Sequence, residues 1–239
     1  MKDQIFSKWV RLGVNFPGHD MYKGSIDIER HIIETVTAGQ DNPVLIDIML
    51  GWLYAYGDLV NIHRISSMVS DDTSGFVGAL IDFIVQNKGP RKLRKILDYC
   101  KPFPEGKFIF RDTQKYPHLA WESMEQAGDI NNKWNVYWKS VEIKTDALFN
   151  AKYVLSKNPT LAMRTILGVT MRADIISILY HHGKATISEI TNYLLFDFAS
   201  VSRELHKMEE HLLVKKEKKG LNVFVKPTES SRKLLAVYS

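Results

Sequence analysis

Apolar residues along this chain recur mostly at helical spacing. Ile26, Ile28, Ile32, Ile33 and Val36 predict a helix over Ser25–Thr37. Pro43 suits a first helical turn and opens a second helix, Val44–Tyr56. That segment, VLIDIMLGWLYAY, is apolar nearly all round, which places it at the centre of an N-terminal domain. Helices over Ile62–Val69 and Gly75–Asn87 follow, separated by the polar SDDTS. A further helix over Pro90–Cys100 turns Leu93, Ile96 and Leu97 inward and Arg91, Lys92, Arg94 and Lys95 outward. Residues 1–24 read as an arm in which Trp9, Val10, Leu12 and Val14 pack as a short strand or helix, with Gly13, Pro17, Gly18 and Gly24 in loops.

The middle of the chain is less regular. Lys101–Asp112 reads as a loop with an extended stretch at Phe108-Ile109-Phe110, and Pro117–Gly128 returns to helix. Asn135–Lys144 alternates as a strand does. Trp134, Tyr137 and Trp138 cluster there as core or interface residues. Thr145–Ser156 is helical, and Asn158-Pro159 marks a domain joint, because a residue before proline resists helix. Leu161–His182 is one long helix, or two broken near Gly168.

The clearest pattern runs from Thr186 to Val214. Ile187, Ile190 and Leu194, then Val201, Leu205, Met208 and Leu212, describe two amphipathic helices sharing one core. Asp197 is placed to cap the second, Asp197–His211. Val214–Glu217 then reads as a strand, Lys218-Lys219-Gly220 as a turn and Leu221–Val225 as a returning strand.

This stretch resembles the winged helix–turn–helix of MarR-like and ArsR-like bacterial transcription regulators. The resemblance is carried by Ile187-Ser188-Glu189-Ile190, Val201-Ser202-Arg203 and Met208-Glu209-Glu210, and continues into Thr228-Glu229 and Arg232-Lys233-Leu234-Leu235. It covers the C-terminal third of the chain. Leu195 stands where those families carry the turn glycine, and His211-Leu212 where small residues precede the first strand. The fold implied is mainly α, with a helical domain over residues 1–157 and an α+β winged helix over 158–239. The function implied is DNA-binding transcription regulation by a homodimer, the helical domain serving dimerisation or sensing.

A shift of 125 residues places Ile62, Ile65, Val69, Phe76, Leu80 and Phe83 onto Ile187, Ile190, Leu194, Val201, Leu205 and Met208. Residues 44–87 then read as a degenerate second helix–turn–helix, or as a chance match of amphipathic helices. Its second helix offers Ser74, Gly75, Val77 and Gly78, which suit close packing rather than base reading.

Charge adds direction. The chain carries 32 Lys and Arg against 27 Asp and Glu. From Thr160 onward there are 12 against 8, so most of the excess lies with the C-terminal pattern. A local cationic excess is the footprint of a phosphate-backbone binder, or simply a solvated basic face. With Val201, Leu205 and Met208 inward, the second helix presents Phe198, Ser200, Ser202, Arg203, His206 and Lys207 to double-stranded DNA. Arg203 has the fork that holds guanine O6 and N7 together; the alternative is an ion pair with Glu189 or Glu204. The resemblance implies that Ser200 and Ser202 serve phosphates or bases and that Phe198 touches a thymine methyl or sugar. Lys215, Lys216, Lys218 and Lys219 are expected on backbone phosphates, positioning without specifying. Against this stand the acidic Glu204, Glu209 and Glu210, which support a second reading as a protein–protein adaptor.

Other chemistry is not signalled. The sequence holds no Gly-rich phosphate loop, GxSxG, HExxH or CxxC, so no enzyme and no cofactor is expected. Asp71-Asp72 reads as a helix start. His181, His182, His206 and His211 are the only histidines near enough in sequence to suggest a metal, and none is expected. One cysteine, Cys100, excludes an internal disulfide and suits a reducing compartment. No apolar run approaches the ~20 residues that span a bilayer. The start MKDQIFSKWVRLG has no signal core. The cytoplasm is the expected location.

Overall fold

The computed structural model describes residues 2–220 and 222–236, which divide into two compact units, Met1–Asn150 and Ala151–Ser239. The chain is mainly helical, with one small three-stranded antiparallel sheet. No described helix is long and apolar enough to cross a membrane.

The first unit opens with α1 (Lys2–Arg11), α2 (Ile28–Gly39), α3 (Pro43–Tyr56), α4 (Ile62–Met68) and α5 (Asp71–Gln86). Their starts follow from capping. The Asp27 carboxylate accepts from the Arg30 N–H at 3.2 Å, and the Asn61 side chain accepts from the Arg64 N–H at 3.3 Å. The first helical residue of α3 is Pro43, and Leu45 through Leu53 of that helix are all buried. Buried tryptophans tie the unit together with their N–H groups satisfied. Trp9 donates to Thr35 Oγ1 at 3.1 Å, Trp52 to the Leu12 carbonyl at 3.0 Å, and Trp134 to Asp82 Oδ2 at 2.9 Å. A second buried polar group is ionic: Arg64 lies 2.8 Å from Glu29 and 2.7 Å from Asp27.

Arg91–Tyr99 is a run of 3₁₀ turns instead of the expected α-helix. Its buried residues, Leu93 and Ile96, are three apart, which a three-residue turn keeps on one line. Then come β1 (Lys107–Phe108), α6 (Arg111–Lys115), α7 (Pro117–Glu125), α8 (Asp129–Trp134) and β2 (Val136–Tyr137). β1 and β2 pair in parallel, Lys107 with Val136 and Phe108 with Tyr137. The strand expected over Asn135–Lys144 is therefore two residues long. Beyond it the backbone is taken up by α3: the Glu142 N–H donates to Asp47 Oδ1 at 3.0 Å and the Lys144 N–H to the Asp47 carbonyl at 3.5 Å. The helix expected from Thr145 begins only at Ala151. Its first residues instead bond to the N-terminal arm, where Val14 bridges Leu148 and the Phe149 N–H reaches the Gly13 carbonyl at 2.8 Å.

The second unit contains α9 (Ala151–Lys157), α10 (Pro159–Leu167), α11 (Met171–His182), β3 (Ala185–Thr186), α12 (Ile187–Leu194), α13 (Phe198–Glu210), β4 (Val214–Lys219), β5 (Asn222–Pro227) and α14 (Glu229–Ala236). It starts at Ala151, ahead of the joint expected at Asn158-Pro159. Gly168, at φ +72°, separates α10 from α11. Strands run in the order β3-β5-β4, all antiparallel. Ile175, Leu179, Ile190, Leu194, Val201, Leu205, Met208, Val214 and Val225 form the buried core. Inside it, Arg164 Nε donates to Asp174 Oδ1 at 2.7 Å, joining α10 to α11.

Two details of the C-terminal reading change. Leu212, expected in the core, is 73% exposed, because α13 stops at Glu210 and Leu212 turns the chain at φ +58°. Lys218 and Lys219 lie within β4, opposite Val223 and Asn222, so the turn falls at Gly220. Leu221, expected to open the returning strand, lies outside the described residues.

Candidate nucleic-acid interface

Helices α12 and α13 are joined by three residues, Leu195, Phe196 and Asp197. Both start on side-chain caps. Glu189 Oε2 accepts from the Thr186 N–H at 2.6 Å while Thr186 Oγ1 accepts from the Glu189 N–H at 3.2 Å, a reciprocal capping box. Asp197 Oδ1 accepts from the Ser200 N–H at 2.8 Å. Bonds from the Ser200 side chain and backbone hold the Asp197 carboxyl below the usual carboxylate range. Leu195, at the position of the turn glycine in the resembling families, adopts the left-handed conformation at φ +58°.

With Val201, Leu205 and Met208 buried, α13 presents Phe198, Ala199, Arg203, His206, Lys207 and Glu210 as exposed residues, with Ser200 and Ser202 half-buried beside them. Arg203 donates from Nη2 to Ser200 Oγ at 3.2 Å and from Nε to the Ala199 carbonyl at 3.4 Å. Neither of the carboxylates expected to compete for it does so. Glu189 is spent on the capping box, and Glu204 accepts from Arg172 Nε at 2.8 Å. Of the other two acids of this helix, Glu209 is paired with Lys216 at 2.8 Å, while Glu210 is exposed and lies 3.4 Å from His206, an ion pair only when that imidazole is protonated. Lys216 holds the Glu209 carboxyl below its ordinary range.

The hairpin divides its lysines accordingly. Lys216 is half-buried against Glu209, and Lys226 pairs with Glu217. Lys215, Lys218 and Lys219 are exposed. Of the ten expected interface residues, Lys216 is thus the one whose ammonium is committed to a carboxylate inside the unit. Arg172 and Lys184 also bear on this surface, and no motif in the sequence marks them. Arg172 neutralises Glu204, and the Lys184 ammonium lies 4.9 Å from the Phe224 ring centroid. Both roles depend on pairings across elements that spacing does not reveal.

The first unit contains helices at matching positions 125 residues earlier: α3, α4 and α5 correspond to α11, α12 and α13, and the caps Asn61 and Thr186 coincide. The surfaces differ. A Cβ on Gly75 would lie 2.4 Å from the Phe103 ring, and one on Gly78 would lie 2.3 Å from the Trp134 ring. The side of α5 that corresponds to the exposed face of α13 is covered by its own chain.

Among the described residues, no group of three His, Cys, Asp or Glu comes together to hold a metal ion. Burial pushes the Cys100 thiol up to about 12, so it remains protonated at neutral pH. No protein-family model matches the chain, and no curated protein matches it at a significant level.

Proposed function

We propose that the second unit is a winged helix that binds double-stranded DNA, with α13 in the major groove and the β4–β5 hairpin as the wing. The observation that carries the reading is the charge balance of α13. Glu204 and Glu209 are paired with Arg172 and Lys216, which leaves Glu210 as the exposed acid of the helix, while Arg203 and Lys207 stand exposed, as do Lys215, Lys218 and Lys219 of the hairpin. Arg203 then reads base edges, and the hairpin lysines neutralise phosphates. One such helix spans few base pairs, so the chain acts as a homodimer on a two-fold site, as a transcription regulator.

The adaptor reading rested on repulsion between phosphate and Glu204, Glu209 and Glu210. Pairing of Glu204 with Arg172 and of Glu209 with Lys216 leaves only Glu210 to support it. The test is binding of the full chain to fragments of its own genomic neighbourhood, titrated with salt and random competitor DNA. A site that survives competitor, with affinity falling steeply in salt, supports specific binding. Binding that competitor abolishes sinks it and returns attention to a protein partner.

A further inference from the structure

The first unit carries a cleft that the DNA reading does not use. It has a volume of about 750 Å³ and is bounded by the end of α2, the start of α5, β1 and α6. Its size falls within the range of small-molecule sites, roughly 300–1,000 Å³. Its two sides differ in chemistry. β1 and α6 contribute Lys107, Arg111 and Lys115. Arg111 and Lys115 are four apart, one turn along the same helix face. The start of α5 contributes Asp72 with Ser70 and Thr73, whose hydroxyls lie 3.2 Å apart in the cap of that helix. Phe76 and Phe108 also line the cleft.

We propose that this cleft binds an organic phosphate of nucleotide size. The three cations take the phosphate, for which the Arg111 guanidinium offers a bidentate fork. Asp72 accepts from hydroxyl or amino groups at the far end of the ligand, and the phenylalanines border its planar part.

The cations are available at little cost. Arg111 lies 2.8 Å from Asp41 and Lys115 lies 2.7 Å from Asp112, but all four groups are a third or more exposed. Such pairs contribute little and exchange readily for a dianion. The Lys107 ammonium lies 4.0 Å from the Phe103 ring centroid. The frame around them is fixed. The Arg111 N–H donates to the Gln40 carbonyl at 2.9 Å, joining the start of α6 to the end of α2, and β1 is held by its pairing with β2.

The experiment is calorimetric titration of the full chain, without DNA, with the four ribonucleoside 5′-monophosphates, inorganic phosphate, the parent nucleosides and phenylalanine. At least one nucleotide is expected to bind below millimolar concentration, more tightly than inorganic phosphate or its nucleoside. Lys107→Ala and Lys115→Ala should each weaken it roughly tenfold, the loss of a charge-assisted bond. Lys95→Ala, on the exposed side of the 3₁₀ segment, should leave it unchanged, and thermal melting checks that each variant folds. Absence of nucleotide binding overturns the proposal. So does binding insensitive to Lys107→Ala and Lys115→Ala, inorganic phosphate binding as tightly as any nucleotide, or phenylalanine as the preferred ligand.

Discussion

Arg172 on α11 reaches across to Glu204 on α13, its Nε donating to the carboxylate at 2.8 Å. The two side chains are only about a quarter exposed, so the pair holds an acidic residue of the exposed helix in a fixed, neutralised position. Removing the cation leaves that charge uncompensated beside the face proposed to meet DNA. Arg172→Ala is expected to lower DNA affinity a few-fold while changing stability by about 1 kcal/mol or less. Arg172→Ala/Glu204→Gln should restore the affinity. Because the effect is electrostatic, it should fade near 1 M salt, where the screening length is about 3 Å. Equal affinity of Arg172→Ala and the parent at low salt would refute it.

Gly51 on α3 tests how tightly the first unit is packed. An added Cβ would lie 1.9 Å from the Lys144 carbonyl oxygen, a backbone atom that cannot swing aside. Gly51→Ala should therefore destabilise by about 1–3 kcal/mol, although alanine in a helix interior normally gains about 0.5–1 kcal/mol. Gly128 has only Asn131 Oδ1 at 4.0 Å, so Gly128→Ala should stay within about 1 kcal/mol, a capping preference alone. Denaturant titration separates the two.

Leu212 offers the opposite change. It is 73% exposed and sits at φ +58°, so it loses conformational energy and buries little. Asparagine tolerates that backbone better. Leu212→Asn should raise stability by about 0.5–1 kcal/mol, within the roughly 1–2 kcal/mol cost of left-handed geometry. A lower melting temperature would show that the side chain has a packing role.

His31 makes stability pH-dependent. It is fully buried beside Trp9, its Nδ1 lies 3.8 Å from Glu34 Oε2, neither ring nitrogen makes a hydrogen bond among the described residues, and burial lowers its pKa from 6.5. Glu34 and Asp27 pull the value upward and Lys8 pushes it down. The unfolded chain therefore takes the proton first. The stability from neutral His31 is complete above about pH 6.5 and is lost as pH falls toward the folded-state value, by at most about 1.4 kcal/mol per pH unit. Urea titrations from pH 7.5 to 5 should show this fall, and His31→Gln should flatten it. An unchanged slope in the variant would assign the loss to other groups.

The C-terminal helices were legible because their information is local. Thr186 and Asp197 announce their caps, and Ile190 through Met208 keep a helical period. That logic failed at Leu212, where the period continues by chance past the end of the helix. Asn135–Lys144 and Thr145–Asn150 depart from the expected strand and helix because their conformation is set by partners far away in sequence, Asp47 and Val14. The cleft was invisible for the same reason: Thr37, Ser70, Lys107 and Arg111 belong to four separate segments. Pairing of Glu204 and Glu209 likewise required elements that only the fold brings together.

The proposed interface is tested by comparing Arg203 with Lys218. Arg203 projects from the exposed face of α13 and is held by uncharged acceptors, Ser200 Oγ and the Ala199 carbonyl. A guanine edge can replace both at once. Lys218 lies on the hairpin, opposite Val223, and carries only a point charge. Arg203→Ala should therefore cost about 1–3 kcal/mol on the specific site and little on random DNA. Lys218→Ala should weaken both alike and reduce the salt slope by about one ion. Fluorescence anisotropy on specific and scrambled duplexes at several salt concentrations reads all four quantities. If Arg203→Ala weakens specific and random DNA equally, the residue positions the helix on phosphates and the base-reading assignment fails.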